Sequence, residues 1–165
     1  MKILRTELET GFTGKFFEIP IETLDLDDLG FYKNFITGEI SSDKINDGYH
    51  LKGKFIIPFK ETCDRCLIEF NQDNESSFDL VLTRNIEIAE DSRNFDVLLF
   101  PDSADSIDLT ELFHDQISLE DPFKKLCKEN CKGLCSNCGQ DLNNGTCDCK
   151  FEEPTSVWDK LKDLK

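Results

Sequence analysis

The sequence predicts an α+β fold, mainly an antiparallel sheet or partly closed barrel with one packed helix, followed by a small cysteine-rich tail and a short terminal helix. Three observations carry that reading. Tyr49, Leu51, Phe55, Ile57 and Phe59 share one face of a run whose other face is His50, Lys52, Lys54 and Lys60, the period of two of a half-buried strand. Leu109, Leu112, Phe113 and Ile117 recur at helical intervals until Pro122 forces a stop. Six of the eight cysteines crowd into residues 127–149, too few residues to bury a core of their own.

The 165 residues have room for one ordinary domain and a small appendage, and 38% hydrophobic residues with 14 Phe suffice for a core. Residues 16–21 read as a strand and residues 24–29 as a connector. Ile36 to Ile40 alternates, and Asn46-Asp47-Gly48 supplies the Asp-Gly pair of a tight hairpin. The strand of residues 49–60 follows, with Pro58 marking a sheet edge or strand end. Cys63-Asp64-Arg65-Cys66 then falls in a turn, because Leu67 to Phe70 resumes a strand-like run. Residues 77–83 and 96–100 are further strands, separated by the acidic connector 87–94. Asp108 and Glu111 have capping-box spacing at the start of the helix. Residues 1–122 thus form an acidic, strand-rich α+β domain, 123–153 a cysteine-rich module, and 154–165 a short amphipathic helix. In that helix Ser156 and Asp159 repeat the capping spacing and Val157, Trp158, Leu161 and Leu164 form the apolar side.

Within the tail, Cys135-Ser136-Asn137-Cys138-Gly139 is a C-x-x-C-G unit, whose tight turn lets two sulfurs face one ion. Cys147 and Cys149 follow after eight residues that include the turn signal Asn143-Asn144-Gly145. Cys135, Cys138, Cys147 and Cys149 are therefore expected to close one tetrahedral zinc site. A structural zinc contributes on the order of 10 kcal/mol to small modules, enough to fold this one. Disulfides are the rival reading, but the first residues lack the apolar run of an export signal or membrane span, and a cytoplasmic chain keeps its thiols reduced. Cys127 and Cys131 have three uses open to them: capping the same site, joining a second one with Cys63 and Cys66, or standing as free thiols. Cys63 and Cys66 form a rubredoxin-like half-site or a buried pair. A redox dithiol needs its first cysteine at a helix N-terminus, and no helical period follows Cys66.

His50 and His114 have no spaced partners and read as satisfied or solvated side chains. No glycine-rich phosphate loop or nucleophile elbow occurs, and an all-cysteine metal site is closed. The expectation is a non-enzymatic protein without a small-molecule substrate. Residues 1–122 carry 11 basic and 27 acidic side chains, and the rest 8 basic and 7 acidic, which yields the formal charge of -15. Such a field repels phosphate backbones and attracts basic surfaces, so it favours a basic protein partner over unaided nucleic-acid binding.

The run LCKENCKGLCSNCGQDLNNGTCDC, together with the Cys63/Cys66 hairpin and the order of strands and helix, resembles the YceD family, associated in bacteria with accumulation of large-subunit ribosomal RNA. The resemblance covers most of the chain, least clearly residues 1–34, and in that family the cysteine tail is not universal. It implies a cytoplasmic, non-enzymatic factor in synthesis, processing or protection of 23S ribosomal RNA, in a family that tends to be encoded beside a small basic ribosomal protein. The partner is then a ribosomal protein, held by the acidic body, or large-subunit pre-rRNA. Lys124, Lys125, Lys128 and Lys132, the one local basic cluster, are the candidates for RNA contact. The competing reading is a generic zinc-ribbon adaptor unrelated to ribosomes.

Overall fold

The computed structural model describes residues 1–90 and 96–149. In chain order the elements are β1 (Lys2–Leu4), α1 (Arg5–Thr10), β2 (Phe12–Pro20), a 3-10 turn (Ile21–Thr23), β3 (Phe35–Ile45), β4 (Gly48–Thr62), β5 (Glu69–Thr83), α2 (Ile86–Ala89), β6 (Val97–Leu99), β7 (Ser106–Asp108) and α3 (Thr110–Leu119). The expected helix over 154–165, with Trp158, lies outside the described residues, as does part of the connector 87–94. Two compact units result, one of Met1–Glu61 with Glu69–Phe123, the other of Thr62–Ile68 with the tail from Lys124.

The first unit is built on an open five-stranded sheet in the order β2-β3-β4-β5-β6, in which β2 and β3 run antiparallel to their neighbours and β6 joins β5 in parallel. The Asp-Gly signal lands where expected, with Ile45 opposite Gly48 across a two-residue connection. Because side chains alternate along a strand, Phe17 and Ile19 of β2, Ile36 and Ile40 of β3, Leu51, Phe55 and Ile57 of β4 and Phe78, Leu80 and Leu82 of β5 all enter one apolar core. Helix α3 completes it. Phe113 stands with its ring centroid 5.4 Å from Phe17, 5.2 Å from Phe55 and 5.5 Å from Phe78, and Ile117, four residues on, is fully buried. Gly38 and Gly53 make room for two of these rings: a Cβ at either would stand 2.7 Å from Phe17 or Phe78, respectively.

Two local expectations change, and residues 2–10 gain elements that the sequence pattern does not signal. Pro58 lies inside β4, a central strand, and not at a strand end or sheet edge. The chain passing that point of β4 is the short stretch Gly30 to Tyr32, in which Tyr32 N–H donates to the Pro58 carbonyl at 3.0 Å and Gly30 O takes its donor from Lys60 N–H at 2.9 Å, so the donor missing at Pro58 is tolerated. At the start of α3, Asp108 Oδ1 accepts from Thr110 N–H (3.0 Å) and Thr110 Oγ1 (2.6 Å), while the N-cap position itself is Leu109, without a side-chain cap bond. Finally, residues 2–10 form β1 and α1, with β1 paired antiparallel to β7 so that Ile3 meets Ile107. No described helix is long and apolar enough to cross a membrane.

Candidate metal centres

None of the apolar core residues comes from Thr62–Ile68 or from residues 124–149. The buried side chains there are Cys63, Cys66, Cys131 and Cys135. The described residues of the second unit are therefore organised around sulfur.

Its eight cysteines are free thiols gathered into two tetrads. Cys135, Cys138, Cys147 and Cys149 come together as one group, and Cys63, Cys66, Cys127 and Cys131 as the other, with the sulfurs of each tetrad within 4.8 Å of one another. In the latter, Cys63 Sγ lies 3.8 Å from Cys131 Sγ, and Cys66 Sγ 3.6 Å from Cys127 Sγ. An ion held tetrahedrally by thiolates at about 2.3 Å sets its sulfurs about 3.8 Å apart, whereas a disulfide needs about 2.05 Å. The donor set fits a thiophilic cation.

The same backbone turn presents the first two thiols of each tetrad. Cys63 N–H donates to Ile68 O (2.9 Å) and Leu67 N–H returns to Cys63 O (2.9 Å); Cys135 N–H donates to Gln140 O (2.8 Å) and Gly139 N–H returns to Cys135 O (2.9 Å). Both closing residues take the left-handed conformation, Leu67 at φ 60° and Gly139 at φ 74°. The turn also aims amides at sulfur, as in Asn137 N–H to Cys135 Sγ at 3.4 Å. At Cys135 the N–H groups of Cys138 and Asn137 hold the thiol down at about 6. At Cys63 burial pushes the thiol up, but the N–H groups of Cys127, Cys66 and Arg65 outweigh it and bring the thiol down to about 6.

The partner thiols behave oppositely. Burial and the neighbouring sulfurs Cys66 and Cys63 push Cys127 up to about 12. Cys138, followed by burial, pushes Cys149 up to about 12. Thiols this close ionise together only when a cation offsets their mutual repulsion.

Several residues that sequence spacing does not single out brace these groups. Asp64 and Lys125 exchange two bonds, Asp64 N–H to Lys125 O (2.8 Å) and Lys125 N–H to Asp64 Oδ2 (2.7 Å). Arg65 donates to Cys131 O at 2.6 Å, and Gly133, at φ 76°, lets Leu134 N–H reach Arg65 O at 3.1 Å. Asn143, expected only as part of a turn, donates to Cys131 Sγ (3.4 Å) and accepts Lys132 N–H (2.9 Å), held by Asp141 Oδ1 at 2.7 Å. Of the four candidate lysines, Lys124, Lys128 and Lys132 are exposed and Lys125 is half-buried. A signal for the bracing residues did exist, since each lies within two residues of a cysteine or in the Asp-x-Asn turn between them.

The sequence model of the family described as large ribosomal RNA subunit accumulation protein YceD matches residues 51–165, which takes in both tetrads. The chain is similar to large ribosomal RNA subunit accumulation protein YCED homolog 1, chloroplastic, of Arabidopsis thaliana, at 36% identity over 70 residues, 42% of this chain and 22% of that protein. Its similarity to the protein of the same name in Zea mays is 43% over 56 residues, 33% of this chain and 19% of that one. The matched segments thus span about a fifth of these relatives. No solved structure matches the chain. With most of β4, all of β5, β6 and α3, and the cysteine-rich C-terminal region covered from residue 51 onward, the chain belongs to the YceD family.

Proposed function

We propose that this protein is a non-enzymatic ribosome biogenesis factor that supports accumulation or processing of 23S ribosomal RNA through contact with a ribosomal protein or large-subunit pre-rRNA. Family membership over residues 51–165 is the observation that carries the reading. Zinc at Cys135, Cys138, Cys147 and Cys149 serves as a structural cofactor: bound there, the ion neutralises the thiolates and fastens chain that has no apolar core of its own. Four thiolates leave it no open coordination position, which supports a scaffold over a catalyst. Eight reduced thiols suit the cytoplasm.

Charge favours protein as the direct contact. Thr62–Ile68 and residues 124–149 carry five basic and four acidic side chains. One tetrathiolate zinc, at a net -2, makes that unit negative as well. The lysines at 124, 125, 128 and 132 then stand beside thiolate charge that competes with phosphate for them. A basic ribosomal protein meets no such competition. The test is an affinity pull-down of the tagged protein from native lysate at low salt, with and without ribonuclease. A ribosomal protein retained after ribonuclease is the expected result. Recovery of 23S precursor RNA that is lost at high salt transfers the contact to the lysines, and recovery of neither returns the protein to the class of generic zinc-ribbon adaptors.

A further inference from the structure

The geometry points to a second, independent metal site, in which Cys63 and Cys66 of the turn between β4 and β5 join Cys127 and Cys131 of the tail around their own thiophilic divalent cation, zinc by its donor set. This goes beyond the reading above, which rests on one ion.

Four observations converge on it. The sulfur separations between the two segments, 3.8 Å for Cys63 to Cys131 and 3.6 Å for Cys66 to Cys127, lie close to the edge of about 3.8 Å expected of a tetrahedral tetrathiolate ion. The turn at residues 63–68 repeats, bond for bond, the turn at residues 135–140 that begins the other tetrad. It does so at a cost that glycine avoids at Gly139, because Leu67 holds a left-handed backbone and leaves its side chain 64% exposed. Neither packing nor backbone preference accounts for that conformation, and presentation of two sulfurs to one ion does. Lastly, Cys131 is oriented from outside the tetrad by Asn143 Nδ2 on its sulfur and Arg65 on its carbonyl, the outer bracing that metal ligands receive. The three thiols Cys63, Cys66 and Cys131 are buried where no apolar cluster would otherwise bury them.

The division of the eight cysteines into two closed sets of four predicts stoichiometry. The full chain, purified under reductant with zinc supplied, is analysed for metal content and by native mass spectrometry. Two ions per chain are expected, falling to one in Cys127→Ser and to one in Cys138→Ser. A wild-type chain with a single ion overturns the assignment, as does a Cys127→Ser chain that keeps two or a Cys138→Ser chain that loses both. Since a variant can fail to fold, cobalt titration of the wild-type chain supplies a second readout. Tetrathiolate absorption is expected to grow to two equivalents with the same intensity per ion. Saturation at one equivalent, or disulfides within Cys63, Cys66, Cys127 and Cys131 in protein kept reduced, sinks the second site. None of these outcomes bears on association with ribosomal material, so this inference and the proposed function fail separately.

Discussion

Leu67 and Gly139 occupy the same place in two matching turns: each donates its N–H to the carbonyl of the cysteine four residues earlier, at 2.9 Å, from a left-handed backbone. Glycine takes that conformation freely. Leucine does so at a cost of about 1–2 kcal/mol.

Leu67→Gly is therefore expected to hold metal more tightly. Part of the relieved strain is returned as the extra freedom of glycine in the open chain, about 0.5–1 kcal/mol, which leaves a net gain of about 0.5–1 kcal/mol. Competition with a chromophoric chelator reads this as about 2- to 5-fold tighter binding at one of two sites. Gly139→Ala has no neighbour within 4 Å to clash with, so its expected loss, about 1 kcal/mol, comes from the backbone alone. Weaker binding in Leu67→Gly would remove the strain argument.

Chelation under reductant should unravel one unit and spare the other. The described residues of the second unit bury sulfur in place of an apolar core, whereas the first unit keeps Phe17, Phe55, Phe78 and Phe113 whatever the metal does. Amide exchange is expected to lose protection at residues 62–68 and 124–149 while α3 and the five-stranded sheet remain protected. Global loss of protection would refute the independence of the core.

Metal binding should release protons. Cys127 and Cys149, pushed up to about 12, and Cys66 and Cys147, raised above the ordinary thiol range, are protonated at pH 7 without an ion. Each ion then displaces at least two protons, so affinity rises about 100-fold per pH unit near neutrality. Calorimetry in buffers of different ionisation enthalpy measures this. Release of fewer than two protons per ion would contradict the thiol assignments.

Phe113→Ala removes the ring that meets three others and should cost about 3–5 kcal/mol. Denaturant unfolding is expected to show that loss with metal content unchanged.

The Asp108 carboxylate, held down to about 2 mainly by its bonds from Thr110, makes the start of α3 sensitive to acid. Its folded pKa lies below the unfolded value of about 3.9, so the stabilisation is complete above that value and disappears as pH falls through about 2. The group is half exposed, and solvent screening limits the effect to under ~1 kcal/mol. Asp108→Asn should be less stable than the parent at pH 7 by that margin and equal to it near pH 2. A gap that persists in acid would assign the effect to something other than charge.

What the sequence discloses follows distance along the chain. Strand β4, the hairpin at Ile45 and Gly48, and the apolar stripe of α3 are local patterns and were legible as such. So was the tetrad of Cys135, Cys138, Cys147 and Cys149, whose members lie within 15 residues of one another. Cys63 and Cys66 find Cys127 and Cys131 across more than 60 residues, a pairing that spacing rules do not encode. β1 was missed for the same reason, since three residues have no period and Ile3 meets its partner only at Ile107. Pro58 misled because its restriction applies to the donor it lacks, and the neighbouring stretch takes its donor from Lys60 instead.

The separation between Cys66 and Cys127 also sets an order of events during synthesis. At about 5–20 residues per second, roughly 3–12 s pass between the emergence of the two thiols. Through that interval the turn at residue 63 is an open dithiol, and β1 stays unpaired until β7 emerges within it. A nascent chain halted before β7 can neither close that tetrad nor pair β1, so early segments of the chain are completed only by segments made much later.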